Sequence, residues 1–296
     1  SEPGAVEEAL RLRFPTLEVV LSPEEGDLVE LVQAAIARVR PELVVVSGGD
    51  GTVSAVASAA AGSGVRLGVV PSGTANVLAR ELGIPLELEE ACDVIAHGTP
   101  RTVDAMDLTG GRRCLCRVAM GVFGEVAEGT RAEAKKLAGT LAYAAAAVPL
   151  LTRTEPRRFT LDIDGELSEH EGSCVVVTNV AQIGGAGLRW SDLVRPDDGH
   201  LDVFVVRSST LPENLGVLWN ALTGDAGASP DVTHLVAHRR VVVACDEEVA
   251  MVADGELQRE RELRLHCAAG GELLIPGEDQ GRGSRSPGHV RGYRTQ

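Results

Sequence analysis

The sequence predicts a two-domain α/β protein with a cleft between the domains. An N-terminal domain (residues 1–104) is built on an open parallel sheet, and a C-terminal domain (105–267) is mainly antiparallel and β-rich. Three observations carry this. Strand-like and helix-like stretches alternate through the first hundred residues or so. Beyond Asp104, short strand-like runs follow one another with two helical interruptions. Two of the early strands run straight into glycine-rich loops that open helices. The length, 296 residues, suits about two domains.

Taken in order, residues 4–13 read as a helix, Leu17–Leu21 as a strand, and Pro23–Arg40 as a helix with an acidic first turn. LVVVS (43–47) is a continuous β-branched run, the pattern of a strand buried on both faces of a parallel sheet. A helix follows from Thr52 to Ala61, then the strand LGVVP (67–71), a helix ending at Leu82 and another over Leu86–His97. In the second half, strands are expected at 102–108, 114–121, 158–164, 173–180, 201–207, 240–245, 249–254 and 261–267, with helices at 125–151 and 211–223. Asp164-Gly165 and Asp198-Gly199 supply turns. Residues 268–276 are expected to return to the first domain. The Gly- and Arg-rich tail (277–296) is expected to be disordered, with a mild positive charge that could touch lipid headgroups. No internal repeat is evident.

Composition narrows the function. With 44% hydrophobic and 24% charged residues the chain is that of a folded protein, and its 28 basic and 43 acidic side chains give a net charge of −15. That charge argues against a broad nucleic-acid surface and confines any contact with an anionic bilayer to a local patch. The most apolar stretch, 137–151, is about fifteen residues, short of the ~20 that a spanning helix needs. SEPGAVEEAL shows no signal-peptide pattern. The six cysteines form no CxxC pair, and Cys114 and Cys116 lack a second ligand pair for zinc, so buried thiols of a reducing compartment are expected. Lys135 and Lys136 are the only lysines, which excludes a Walker-type loop.

The chemistry concentrates in VVVSGGDGTVSAV (44–56). A strand ends in Gly48-Gly49-Asp50-Gly51-Thr52 and a helix begins there, which aims open N–H groups and the positive dipole end at an anion such as phosphate. Asp50 suits that place if a divalent cation bridges the phosphates; an ordinary turn with an Asp cap is the other reading. VVPSGTANVLARELGIP (69–85) repeats the design with Ser72, Gly73, Thr74 and Asn76, closing a crevice where open α/β sheets bind ligands.

GGDGT (48–52), followed by Pro71-Ser72-Gly73-Thr74-Ala75-Asn76, resembles the diacylglycerol kinase catalytic domain shared by bacterial lipid kinases, sphingosine kinases and ceramide kinases. The likeness continues through GVFGEVAEGT (121–130), AKKLAGTLAY (134–143), NVAQIGGAGLRW (179–190), RPDDGHLDVFVV (195–206) and MVADGELQ (251–258), and covers the chain to about residue 276. The resemblance implies a fold like that of NAD kinases and diacylglycerol kinases, with ATP between the domains. It places ATP against Ser22, Gly48, Gly49, Asp50, Gly51, Thr52, Val53, Ser54, Thr74 and Asn76. It also implies Mg²⁺: a structural ion on Asp198 with the carbonyls of Arg195 and His200, and a catalytic ion near Asp50. The base is implied to lie in Asp254-Gly255-Glu256, with Asp254 and Glu256 both open. His234 and His238 are expected to be surface residues. Two departures stand out: Val77 follows Asn76 where the family commonly has Asp, and the sequence begins at a helix, after the first strand and Asn-Pro-x-Ser-Gly-like loop of the family.

The expected function is therefore an ATP-dependent lipid kinase that phosphorylates a diacylglycerol-like hydroxyl, with Asp50, Asp254 and Glu256 catalytic. Its place would be the cytoplasm, in peripheral contact with the membrane, with a homodimer open and no nucleic-acid partner. An NAD kinase-like enzyme and a non-catalytic nucleotide or lipid sensor are the alternatives.

Overall fold

Pairing follows the β-branched runs in the first half. In the computed structural model, which describes residues 3–22, 26–125, 156–183, 187–208 and 210–277, β1 (Leu43–Gly48) and β2 (Arg66–Pro71) pair in parallel, from Leu43↔Arg66 to Gly48↔Pro71. Most of the helix expected over 125–151, its apolar stretch 137–151 and the tail after 277 lie outside the described residues. The helices are α1 (Pro3–Arg11), α2 (Leu28–Val39), α3 (Asp50–Ala60), α4 (Val77–Glu81) and α5 (Leu88–His97). Val6, Ala9 and Leu10 on one face of α1 are buried against Val70, Ile95 and Leu274. α2 starts later than Pro23: Asp27 caps it, its carboxylate accepting the N–H of Val29 at 2.7 Å.

The strand expected at Leu17–Leu21 does not form. A strand must place its N–H and C=O groups on a neighbour, and β1, the end strand of the sheet, is not in reach. A cavity of about 1110 Å³ separates the two, lined among others by Val20, Val32, Val44 and Val46. For the same reason β1 is only partly buried, whereas β2 is buried along nearly its whole length.

The remaining strands are β3 (Thr99–Leu108), β4 (Arg113–Cys114), β5 (Arg117–Gly121), β6 (Arg157–Ile163), β7 (Glu166–Gly172), β8 (Cys174–Thr178), β9 (Leu201–Val206), β10 (Val232–Ala237), β11 (Arg240–Ala253) and β12 (Glu256–Ile275), with α6 (Leu211–Leu222) between β9 and β10. Among the described residues they form one sheet in the order β1-β2-β12-β11-β5-β8-β9-β10, with β3 beside β12 and the β6–β7 hairpin beside β11. All pairings beyond β12 are antiparallel, as expected. The run 114–121 breaks into two strands at Leu115-Cys116, and 240–254 is one strand with a bulge between Ala244 and Val249. β7 and β10 were not expected; β7 (ELSEHEG) alternates charge with exposure because it is an edge. β8 shows the two-sided core: Val175 and Val177 face one layer, Cys174 and Val176 the other, where Trp190, Phe204 and Ala221 of α6 pack.

The long strand β12 joins the halves. It pairs with β11 from Glu256 to His266, with β3 from Leu265 to Ile275, and touches β2 in parallel at Leu273↔Leu67.

Candidate active site

The two glycine loops meet backbone to backbone. A Cβ on Gly73 would stand 2.4 Å from the Cα of Gly49, and one on Gly48 would stand 2.6 Å from the Cβ of Thr52, so only glycine fits these positions. Ser72 N–H donates to Gly48 C=O at 3.1 Å, and the hydroxyls of Ser47 and Ser72 are 3.3 Å apart. α3 opens on Gly49 with extended backbone and no side-chain cap, which leaves the N–H groups of its first turn available to an anion. Ser22, Ser47, Thr52 and Ser72 line one end of the large cavity, and the Ser22, Ser72 and Thr74 side chains are exposed. Val53 and Ser54, by contrast, are buried beneath the loop.

Asp50 serves the second loop. Its carboxylate accepts the N–H groups of Val77 at 3.1 Å and Leu78 at 3.0 Å, so it caps α4 from another element. Asn76 is freed from that task. It sits at φ 48°, accepts the N–H of Gly73 at 2.9 Å and donates to Gly73 C=O at 2.8 Å, closing the SGTAN loop on itself. Asp50 thus fills the cap reading, contributed in trans, and its two oxygens are turned to backbone.

Above the loops lies the turn Asp254-Gly255 between β11 and β12. Asp254 (φ 43°) and Gly255 (φ 89°) form a tight hairpin, so Asp254 and Glu256 do not project side by side from one strand. Asp254 accepts the N–H groups of Leu115 (2.9 Å), Cys116 (3.2 Å) and Arg117 (2.9 Å), and the hydroxyl of Ser54. Glu256 is largely exposed and pairs with Arg112 at 2.8 Å. The neighbouring thiols of Cys114 and Cys116 are pushed well up, by burial first and then by the charge of Asp254, and are inert as nucleophiles.

A second bridge between the halves is made by Glu81, at the end of α4. It accepts the N–H of Gln182 at 3.3 Å and faces Arg189 at 3.7 Å. Burial raises its carboxyl above the ordinary range, and Arg189 opposes that only in part.

The 195–200 loop is held by protein donors. Asp198 accepts the N–H of His200 at 3.1 Å, Asp104 accepts that of Gly199 at 2.7 Å, and Arg101 pairs with Asp197. Among the described residues, three or more His, Cys, Asp or Glu side chains nowhere converge as a metal cage would require. The expected Mg²⁺ set is of another kind, one carboxylate with the carbonyls of Arg195 and His200: one Asp198 oxygen accepts from His200, whereas both Asp50 oxygens accept from the start of α4. His234 is no surface residue: it is half-buried, bonded to Asp202 at 2.6 Å and stacked on Phe204. His238 packs edge-on against His200. Sequence reasoning missed the Ser54–Asp254 contact and the Glu81 bridge; each joins residues about a hundred or more positions apart that no local pattern links.

Comparison with known proteins agrees with this fold. Residues 2–108 match the family described as the diacylglycerol kinase catalytic domain, and residues 116–271 the YegS C-terminal NAD kinase beta sandwich-like domain. An uncharacterized protein of Synechocystis is 29% identical over 87% of this chain, which spans 61% of that protein's length. A protein of Stenotrophomonas maltophilia named "Probable lipid kinase YegS-like" is 33% identical over 86% of this chain and 84% of its own. A diacylglycerol kinase of Bacillus subtilis is 29% identical over 78% of this chain and 76% of its own. The crystal structure of a diacylglycerol kinase from Bacillus anthracis superposes with a TM-score of 0.72 at 26% identity, covering 90% of this chain and 88% of that one.

Proposed function

This chain belongs to the diacylglycerol kinase family, and from that premise we propose that it transfers the γ-phosphoryl group of ATP to the hydroxyl of a diacylglycerol-like lipid, giving a phosphatidic-acid-type product. The observation that carries the reading is the direct contact of the two glycine loops at the open N-terminus of α3, beneath the turn that bears Glu256. The N–H groups of Asp50, Gly51 and Thr52 hold phosphate oxygens there, and the hydroxyls of Thr52, Ser22 and Ser72 add donors at the rim. Asp50 contributes indirectly, by fixing α4 and with it the second loop. Thr74 and Asn76 shape that loop, and Asn76 does so through its two bonds to Gly73.

Glu256 accepts the proton of the lipid hydroxyl. It is exposed at the turn, and Arg112 orients it while leaving carboxylate lone pairs for the substrate. Loops held this rigidly favour catalysis by positioning and by preset electrostatics, the main resources of phosphoryl transfer. The lipid and ATP are thus brought together between a floor of backbone N–H groups and a single carboxylate above it. The test is labelled ATP with extracted membrane lipids. One neutral lipid class should acquire label with wild type and none with Glu256→Gln. A chain that binds ATP and labels no lipid is a sensor instead.

A further inference from the structure

The tetrapeptide Asp-Gly-Glu-Leu occurs twice, at 164–167 and at 254–257. Both copies are two-residue hairpin turns. Asp164 (φ 54°) and Gly165 (φ 100°) join β6 to β7 across the pair Ile163↔Glu166, and Asp254 and Gly255 join β11 to β12 across Ala253↔Glu256. The surroundings correspond residue by residue. Asp164 N–H donates to the carbonyl of Arg240, which opens β11, at 3.0 Å; Asp254 N–H donates to the carbonyl of Arg117, which opens β5, at 3.1 Å. The Asp164 carboxylate accepts three successive N–H groups, His238 at 2.7 Å, Arg239 at 2.9 Å and Arg240 at 2.8 Å. The Asp254 carboxylate accepts the three of Leu115, Cys116 and Arg117.

The copy at Asp164 makes this clamp on an edge hairpin, away from both glycine loops. The clamp is therefore how this fold docks an Asp-Gly turn onto the next strand, and it asks no chemistry of the aspartate. The copy at Asp254 adds two contacts, both to the N-terminal half: Ser54 of α3 donates its hydroxyl to the carboxylate, and Gly51 lies so close that a Cβ there would stand 2.9 Å from the Asp254 carbonyl oxygen. Three of the four donors, Ser54 and the N–H groups of Leu115 and Cys116, converge on Oδ2, and the Arg117 N–H takes Oδ1, so both carboxylate oxygens are turned to protein donors. A proton acceptor needs one turned to substrate.

We propose that Asp254 is a positioning residue: it clamps the turn to the β4–β5 connection and, through Ser54, latches it onto α3, so that Glu256 is held over the phosphate loops. Ser54 accordingly serves the latch and not the nucleotide. The kinetic consequence rests on the kinase reading; the latch itself does not.

Four variants test it: Asp254→Asn, Ser54→Ala, their combination, and Asp164→Asn as the control copy. Each is followed by amide hydrogen exchange and by kcat against pH with saturating detergent-dispersed diacylglycerol. Exchange should quicken at Leu115–Arg117 and along α3 in Asp254→Asn, and at His238–Arg240 alone in Asp164→Asn. Only the first of these should lower kcat, by about 10–100-fold for a misplaced base. Ser54→Ala should lower it less, and the double variant no more than Asp254→Asn. The acid limb of the pH profile should survive in all, because Glu256 still supplies it. Wild-type exchange in Asp254→Asn, with kcat lost and the acid limb gone, would overturn the proposal and make Asp254 the base. Should Asp254→Asn fail to fold, Ser54→Ala decides: reduced kcat with the limb intact supports the latch, and wild-type kcat overturns it. If wild type labels no lipid, the kinase reading fails, and unchanged exchange along α3 in Asp254→Asn would separately refute the latch.

Discussion

The turns at Asp164 and Asp254 share sequence, backbone angles and clamp, yet one bounds an edge hairpin and the other roofs the cleft. What separates them is what lies beneath. Under Asp164 is the start of β11; the small burial cost there would raise its carboxyl, but the three N–H donors win and hold it below the ordinary range. Under Asp254 are the start of β5 and then α3, with Gly51 and Ser54. The glutamates diverge accordingly. Glu166 begins a charged strand at the sheet edge, and Glu256, at the turn that touches Gly51, pairs with Arg112. A motif read along the chain names both turns alike, and only the fold decides which can do chemistry.

Glu256→Gln and Glu166→Gln put the sharpest question to this contrast. The first should lower kcat about 10²–10⁴-fold, as removal of a general base does, and the second should leave it at wild type; steady-state assays of both settle which turn is active. Next in size, Gly51→Ala should cost about 1–3 kcal/mol of stability through overpacking against the Asp254 carbonyl. Denaturant titration measures that cost, and kcat should fall with it, since the turn is pushed off its floor. Gly255→Ala and Gly165→Ala should be more alike, each costing ~1–2 kcal/mol because both glycines hold positive φ. Equal losses of stability with a kinetic defect at 255 alone would confirm that the turns differ in address and not in build. The smallest effect concerns Glu81, the second bridge. Its folded carboxyl titrates above the ordinary range, so its favourable contribution is complete below the unfolded-state value and fades as pH rises through the raised one. The melting temperature of wild type minus that of Glu81→Gln should therefore be greatest in acid and fall toward neutrality; a flat difference would remove the buried-carboxylate account.

Much of the frame was legible because it is local. β-branched runs gave β1 and β2, the Asp-Gly dipeptides gave their turns, and the glycines of GGDGT marked a place where backbones touch. The strand at Leu17–Leu21 was misread because composition reports the ability to pair, not the presence of a partner. β7 was missed because an edge strand needs few apolar residues. At the site, Asp50 looked like a ligand for a bridging cation, whereas it caps a helix twenty-seven positions further on. Ser54 looked like a nucleotide contact, whereas it is buried and donates across the cleft. Long-range donors and acceptors leave no spacing in the sequence by which to recognise them.

One element ties the two walls of the cleft together. β12 begins at Glu256, next to the turn that touches Gly51, and ends beside β2, whose own end is the Pro71-Ser72 loop. Both walls of the cleft thus grip the same ribbon. The geometry of the cleft is therefore tied to the twist of one strand and not to a linker. Along β3 its ladder slips register at the bulge between Ala269 and Gly271, where Gly271 stands at φ 122°. A change of twist at Gly270 and Gly271 would alter the spacing between the Asp254-Gly255 turn and the glycine loops with no ladder pair broken there.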